Sequence, residues 1–178
     1  MTVLICRDLP VGALDAVLCR YRISVIGVAD GKEIPGSYWG GSEAGLVGEA
    51  VFVRADTPVH SALHEAGHLV CMTPDRRRSL NRDAGGDYEE ENGVCYLQIL
   101  LADHVRGMCR TRMMRDMDAW GYSFRFGSAA GWFHDDAEDA RLWLLRQGLI
   151  NEYDQPTWRL RGEYAATAGL RKAAGGRL

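Results

Sequence analysis

No stretch of this chain reaches the roughly 18 consecutive apolar residues that a membrane-crossing helix requires, so no membrane span is expected. Strong charge of either sign is also missing. Lys and Arg number 21 against 24 Asp and Glu, a net charge of −3. That balance leaves no electrostatic footprint for nucleic acid or an anionic lipid surface. The run Arg76-Arg77-Arg78 reads as a solvated loop rather than a nucleic-acid patch. Cysteine is sparse and unpatterned: Cys6, Cys19, Cys71, Cys95 and Cys109 are odd in number and form no C-x-x-C. This speaks against a disulfide framework and points to reduced thiols in a cytoplasmic protein. Arg7, Asp8, Pro10 and Asp15 interrupt the first residues, so no secretory leader is expected. Internal repeats, low-complexity tracts and a recognisable helix-turn-helix are absent.

What remains is an ordinary core-forming composition, 47% hydrophobic over 178 residues. It predicts one domain over residues 1–165 and a frayed, Gly-containing basic tail over 166–178. Apolar runs at 3–6, 21–30 and 44–55 read as strands. Residues 34–43, with Tyr38 and Trp39 among glycines, read as a loop with a possible short edge strand. Helical periodicity covers 59–70 and 87–103, continues through 104–120 to Gly121, and resumes at the acidic cluster 135–139. Residues 122–126 fit strand or loop, and 156–160 a last short strand. The expected fold class is α+β: a short N-terminal antiparallel or mixed sheet packed on the first long helix, with a helix-rich remainder. An edge strand of that sheet could take an extended peptide by β-augmentation.

The first long helix carries His64-Glu65-Ala66-Gly67-His68, an H-E-x-x-H pattern. On a helix, His64 and His68 project from one face and can share one Zn²⁺, leaving positions for a third ligand and a water. Glu65, about 100° round the helix, reaches that water without ligating the metal and is the candidate general base. Thr57-Pro58 reads as N-cap and first helical position. His60 extends the histidine row, but the rise from His60 to His68 is about 12 Å, too far for one ion; His60 is expected to line the cleft or cap a turn.

The third ligand is sought in Glu89-Glu90-Glu91, which opens the second long helix. Acidic residues there also suit the helix dipole. Glu90, Val94, Leu97 and Leu101 share the buried stripe, so Glu90 is preferred. Glu91 shares a neighbouring face with Cys95 and Gln98 and is the alternative; Glu89 comes third. Gly93 is small enough to let the two helices approach. For stabilising an oxyanion, His134, Tyr122 and Tyr96 are all nameable, and the choice among them stays open.

These motifs, over residues 44–103, resemble the gluzincin superfamily of zinc metallopeptidases, and most closely its minimal single-domain members, the ImmA/IrrE-like peptidases. The resemblance implies a minimal zincin-like fold, with a zinc cofactor held by His64, His68 and Glu90 or Glu91. It also implies Glu65 as the base in hydrolysis of a peptide or protein substrate. The metzincin continuation is missing, since position 71 is Cys rather than Gly. The rival reading is a catalytically silent zinc-binding regulatory or interaction module on the same fold. A third is a helical protein in which the motif binds no metal.

Overall fold

The structure, a computed structural model, describes residues 2–80 and 82–163. The expected tail at 166–178 lies outside the described residues. The fold is α+β in the minimal zincin-like arrangement: a short mixed sheet, a histidine-bearing helix packed on it, a glutamate-bearing helix, and a helix-rich C-terminal part.

Three strands form the sheet, β1 (Ser24–Val28), β2 (Gly45–Val47) and β3 (Ala50–Arg54), in the order β1-β3-β2. β2 and β3 are an antiparallel hairpin pairing Val47 with Ala50, and β1 lies parallel to β3 on its other side. Val51 and Val53 of the central strand point into the core. β3 then runs almost directly into α2 (Val59–Cys71). The turn between them is closed by Thr57, whose hydroxyl accepts the Arg54 N–H at 2.9 Å. Thr57 therefore does not cap the helix as expected; Pro58 occupies the cap position in an extended conformation. The expected strand at 3–6 contributes one bridge, Ile5 to Pro58, and the Leu4 carbonyl takes the Val59 N–H. The start of α2 is thus pinned from two sides.

The short α1 (Ala13–Leu18) closes the N-terminal end of the core. After α2, Thr73 caps α3 (Pro74–Arg78), where a solvated loop was expected. The arginines of α3 are not all solvated: Arg77 is buried, donating to the carbonyls of Leu69 and Met72 at the end of α2. Those C-terminal carbonyls have no partner inside the helix, and a guanidinium satisfies two at once.

Asp87 caps α4 (Tyr88–Ala102), which packs across α2. The close approach is made by Gly67 of α2, where a Cβ would stand 3.0 Å from Val94 Cγ1. Gly93, the residue expected to allow it, faces Trp143 instead. Helix did not continue through 104–120. It stops at Ala102, passes through Gly107 at φ +91°, and restarts as α5 (Arg110–Trp120), with the Asp103 carboxylate accepting the Arg110 N–H. Residues 122–126 are loop, Ser128 caps α6 (Ala129–Asp135), and α7 (Glu138–Gln147) begins slightly later than expected. The strand expected at 156–160 reduces to one bridge, Ile150 to Pro156. Among the described residues no helix is long and apolar enough to cross a membrane.

Candidate metal centre

α2 is buried nearly all round, and only His64 and Glu65 keep partial exposure. A helix so enclosed by sheet, α4 and α5 has one window, and the two polar residues of the motif occupy it. The ring nitrogens His64 Nε2 and His68 Nε2 lie 3.1 Å apart. Glu91 reaches them from the first turn of α4, with Oε1 3.2 Å from His64 Nε2 and Oε2 3.6 Å from His68 Nε2. Zinc bonds of roughly 2.0–2.1 Å in a tetrahedron space neighbouring ligand atoms about 3.4 Å apart. The three donors fit that spacing, with two nitrogens and one carboxylate as the donor set. Among the described residues this is the one such cluster of His, Cys, Asp or Glu.

Glu90, the preferred third ligand from the sequence, is turned elsewhere. It is buried as its place on the apolar stripe required, but its carboxylate sits between Arg76 and Arg161, 2.8 Å from each. A buried carboxylate needs cationic partners, and two arginines supply them here. The carboxylate facing the histidines comes from the half-exposed neighbouring face, where Glu91 sits 48% exposed. The same face carries Gln98, fully buried, whose Oε1 lies 2.7 Å from His64 Nδ1. A carbonyl oxygen can only accept, so Nδ1 carries a proton, and Nε2, on the side of Glu91 and His68, is the nitrogen left to bind a metal once it gives up its own proton. This is how metal-binding histidines are usually oriented. His68 Nδ1 is buried with no such partner.

Burial opposes the charged form of His64, but the neighbouring Tyr122, Cys95 and Glu91 outweigh it and hold the ring well above its usual value. His68 goes the other way, burial and the His64 charge lowering it to about 4. Burial raises Glu65 to about 7, with Glu91 and Glu43 adding to it against the pull of His64. A carboxyl shifted upward in this way is suited to both taking and giving a proton.

Two cavities meet at the cluster, and His64, Tyr88, Glu91 and Tyr122 line both. The first, about 850 Å³, is also lined by Phe124, Trp132, Ala137 and Ala140. The second, a cleft of about 670 Å³, holds Glu65 and His68 with Tyr38, Trp39 and Trp120 on its walls. Of the three oxyanion candidates, Tyr122 stands beside the cluster, its ring 5.8 Å from that of His64. Tyr96 stacks on Phe133, and both it and the exposed His134 line a separate hollow. His60 is wholly buried against Trp120 and Tyr122, and both its ring nitrogens lack a partner.

Sequence reasoning did not find the Arg76–Glu90–Arg161 ion cluster or the bond from His64 to Gln98. The shared face of Glu91, Cys95 and Gln98 was the available signal for the second. The chain matches no family model, no curated protein and no solved structure.

Proposed function

We propose that this chain is a small zinc metallopeptidase of gluzincin type. The observation that carries this reading is the tetrahedral spacing of the His64, His68 and Glu91 donor atoms in a cleft that also holds Glu65. His64 Nε2, His68 Nε2 and Glu91 would hold the ion. When bound, zinc supplies a Lewis acid that polarises a peptide carbonyl and makes water acidic enough to be deprotonated near neutrality. Glu65 takes a proton from the attacking water at its carboxylate and delivers it to the departing amine. Tyr122, whose phenol burial keeps protonated, donates to the oxygen on which charge develops. Gln98 holds His64 in the required tautomer. The five free cysteines support a reducing, cytoplasmic setting.

The test is metal analysis with Glu65→Gln. Zinc content unchanged and peptide hydrolysis lost supports the reading. Wild-type protein that binds zinc yet cleaves no peptide in a broad library moves it to the silent interaction module. Absence of zinc binding above that of His64→Ala removes both.

A further inference from the structure

The cleft on the Glu65 side has a chemistry the peptidase reading does not itself require. Its walls carry four exposed aromatic side chains, Tyr38 (61% exposed), Trp39 (84%), Tyr88 (81%) and Trp120 (47%). Isolated exposed aromatics are ordinary, but four around one cleft mark a binding surface. Five carboxylates line the same cleft, from Glu43, Glu65, Asp83, Asp87 and Glu91, against one arginine, Arg82.

Three of those carboxylates are held by neutral donors. Glu43 accepts from the Ser37 hydroxyl and from the N–H groups of Trp39 and Gly41. Asp83 accepts from Gly85 N–H and Asp87 from Glu90 N–H. None of the three is in a salt bridge among the described residues. The two charges of a zinc ion at the cluster would offset Glu91 and Glu65 and leave these three. At the floor lies His60, wholly buried, with both ring nitrogens unpartnered. An imidazole with no partner has a lone pair to offer. The cleft is therefore rich in acceptors and π faces and poor in cations.

An ammonium or guanidinium is the complementary group. It brings only donors, and it is attracted both to aromatic faces and to carboxylates. Building on the peptidase reading, we infer that the segment of substrate lying in this cleft carries a lysine or arginine side chain. A purely apolar segment would use the rings but would leave the carboxylates facing it without a counter-charge.

The test is binding to zinc-loaded Glu65→Gln protein. The probes are alanine-rich peptides carrying one lysine, norleucine or glutamate at each position in turn. Norleucine keeps the length and apolar area of lysine without its charge. The expected result is a position at which lysine binds about tenfold tighter than norleucine, with glutamate weakest. That preference narrows in about 0.5 M salt. Trp39→Ala reduces it, and so does the double variant Asp83→Asn/Asp87→Asn, in which the amide oxygens still accept from Gly85 and Glu90. Equal or tighter binding of norleucine at every position overturns the inference, as does a lysine preference that both variants leave intact. The two readings fail separately. Wild-type cleavage without basic preference keeps the peptidase and removes the basic substrate. Selective lysine binding without wild-type cleavage does the reverse.

Discussion

Glu90 and Glu91 are adjacent in the chain, yet their carboxylates serve different faces of α4. That of Glu90 points inward to Arg76 and Arg161, 2.8 Å from each, and that of Glu91 points across to His64 and His68 at 3.2 and 3.6 Å. Consecutive residues on a helix diverge by about 100°. The ion cluster around Glu90 therefore fixes the rotation of the first turn of α4, and that rotation aims Glu91. Arg76 comes from α3, and Arg161 also donates to the Cys71 carbonyl at the end of α2. The cluster thus ties three parts of the chain to the turn that presents Glu91.

The two glutamates separate on substitution. Glu91→Gln is expected to lower zinc affinity at least tenfold while leaving the unfolding midpoint of the metal-free protein nearly unchanged. Glu90→Gln is expected to cost about 2–3 kcal/mol in stability, since it removes the counter-charge of two partly buried guanidiniums. Chelator competition and urea unfolding on the two variants check this. A Glu90 variant that loses zinc with stability intact, beside a Glu91 variant that keeps zinc, would reverse the assignment.

Gln98→Leu removes the acceptor that orients His64 and leaves its Nδ1–H without that partner. Loss of such a partner costs about 10–100-fold in metal affinity. Gln98→Glu keeps an acceptor at that position and is expected to retain or raise affinity. Competition against a fluorescent zinc chelator distinguishes the two, and equal affinities for Leu and Glu would remove the role given to Gln98.

How far the site could be read in advance depended on which rule governed each residue. His64 and His68 meet as helix spacing alone predicts, and α2 forms where the apolar periodicity placed it. The third position rests on a competition that periodicity does not see. Alignment with the buried stripe identified Glu90 as buried, but burial draws a carboxylate to cations, and Arg76 and Arg161 come from segments 14 and 71 residues away. A carboxylate free to face two histidines has to stand nearer the rim. The same limit explains Gly93. Spacing showed that a small residue on α4 faces something close, but whether that is α2 or α7 depends on tertiary packing.

Gly67 sits inside the H-E-x-x-H motif, and its lack of a side chain sets the separation of α2 and α4. Alanine would gain about 1 kcal/mol in helix propensity, but its methyl would meet Val94 Cγ1 at 3.0 Å. Val94 is fully buried and β-branched, with one favoured rotamer in a helix, so it has little room to move. Gly67→Ala is therefore expected to destabilise by roughly 1–2 kcal/mol net, and Val94→Ala in the same chain to recover part of that. Gly93→Ala should be worse, because its methyl would stand 2.7 Å from the Trp143 ring. Urea midpoints for the single and double variants give the order, and a Gly67→Ala protein more stable than wild type would contradict it.

His60 makes stability fall in mild acid. Burial is the main cause of its pKa being lowered from 6.5 to about 4, with His64 adding to the effect and Asp116 opposing it. Between those values the unfolded chain holds a proton that the folded chain does not, so stability rises with pH across this window. The contribution is complete above pH 6.5 and is lost as pH falls toward 4, at a cost of about 3 kcal/mol for a ring this buried. His60→Leu removes the titrating group and both unpartnered nitrogens. The variant should match or exceed wild-type stability at pH 5 and show a shallower loss between pH 6.5 and 4. His68, lowered to about 4 as well, titrates in both proteins and cancels in the comparison. Urea unfolding of the metal-free proteins across that range measures the difference. Parallel pH profiles would mean that His60 is protonated as readily in the folded protein as in the unfolded chain.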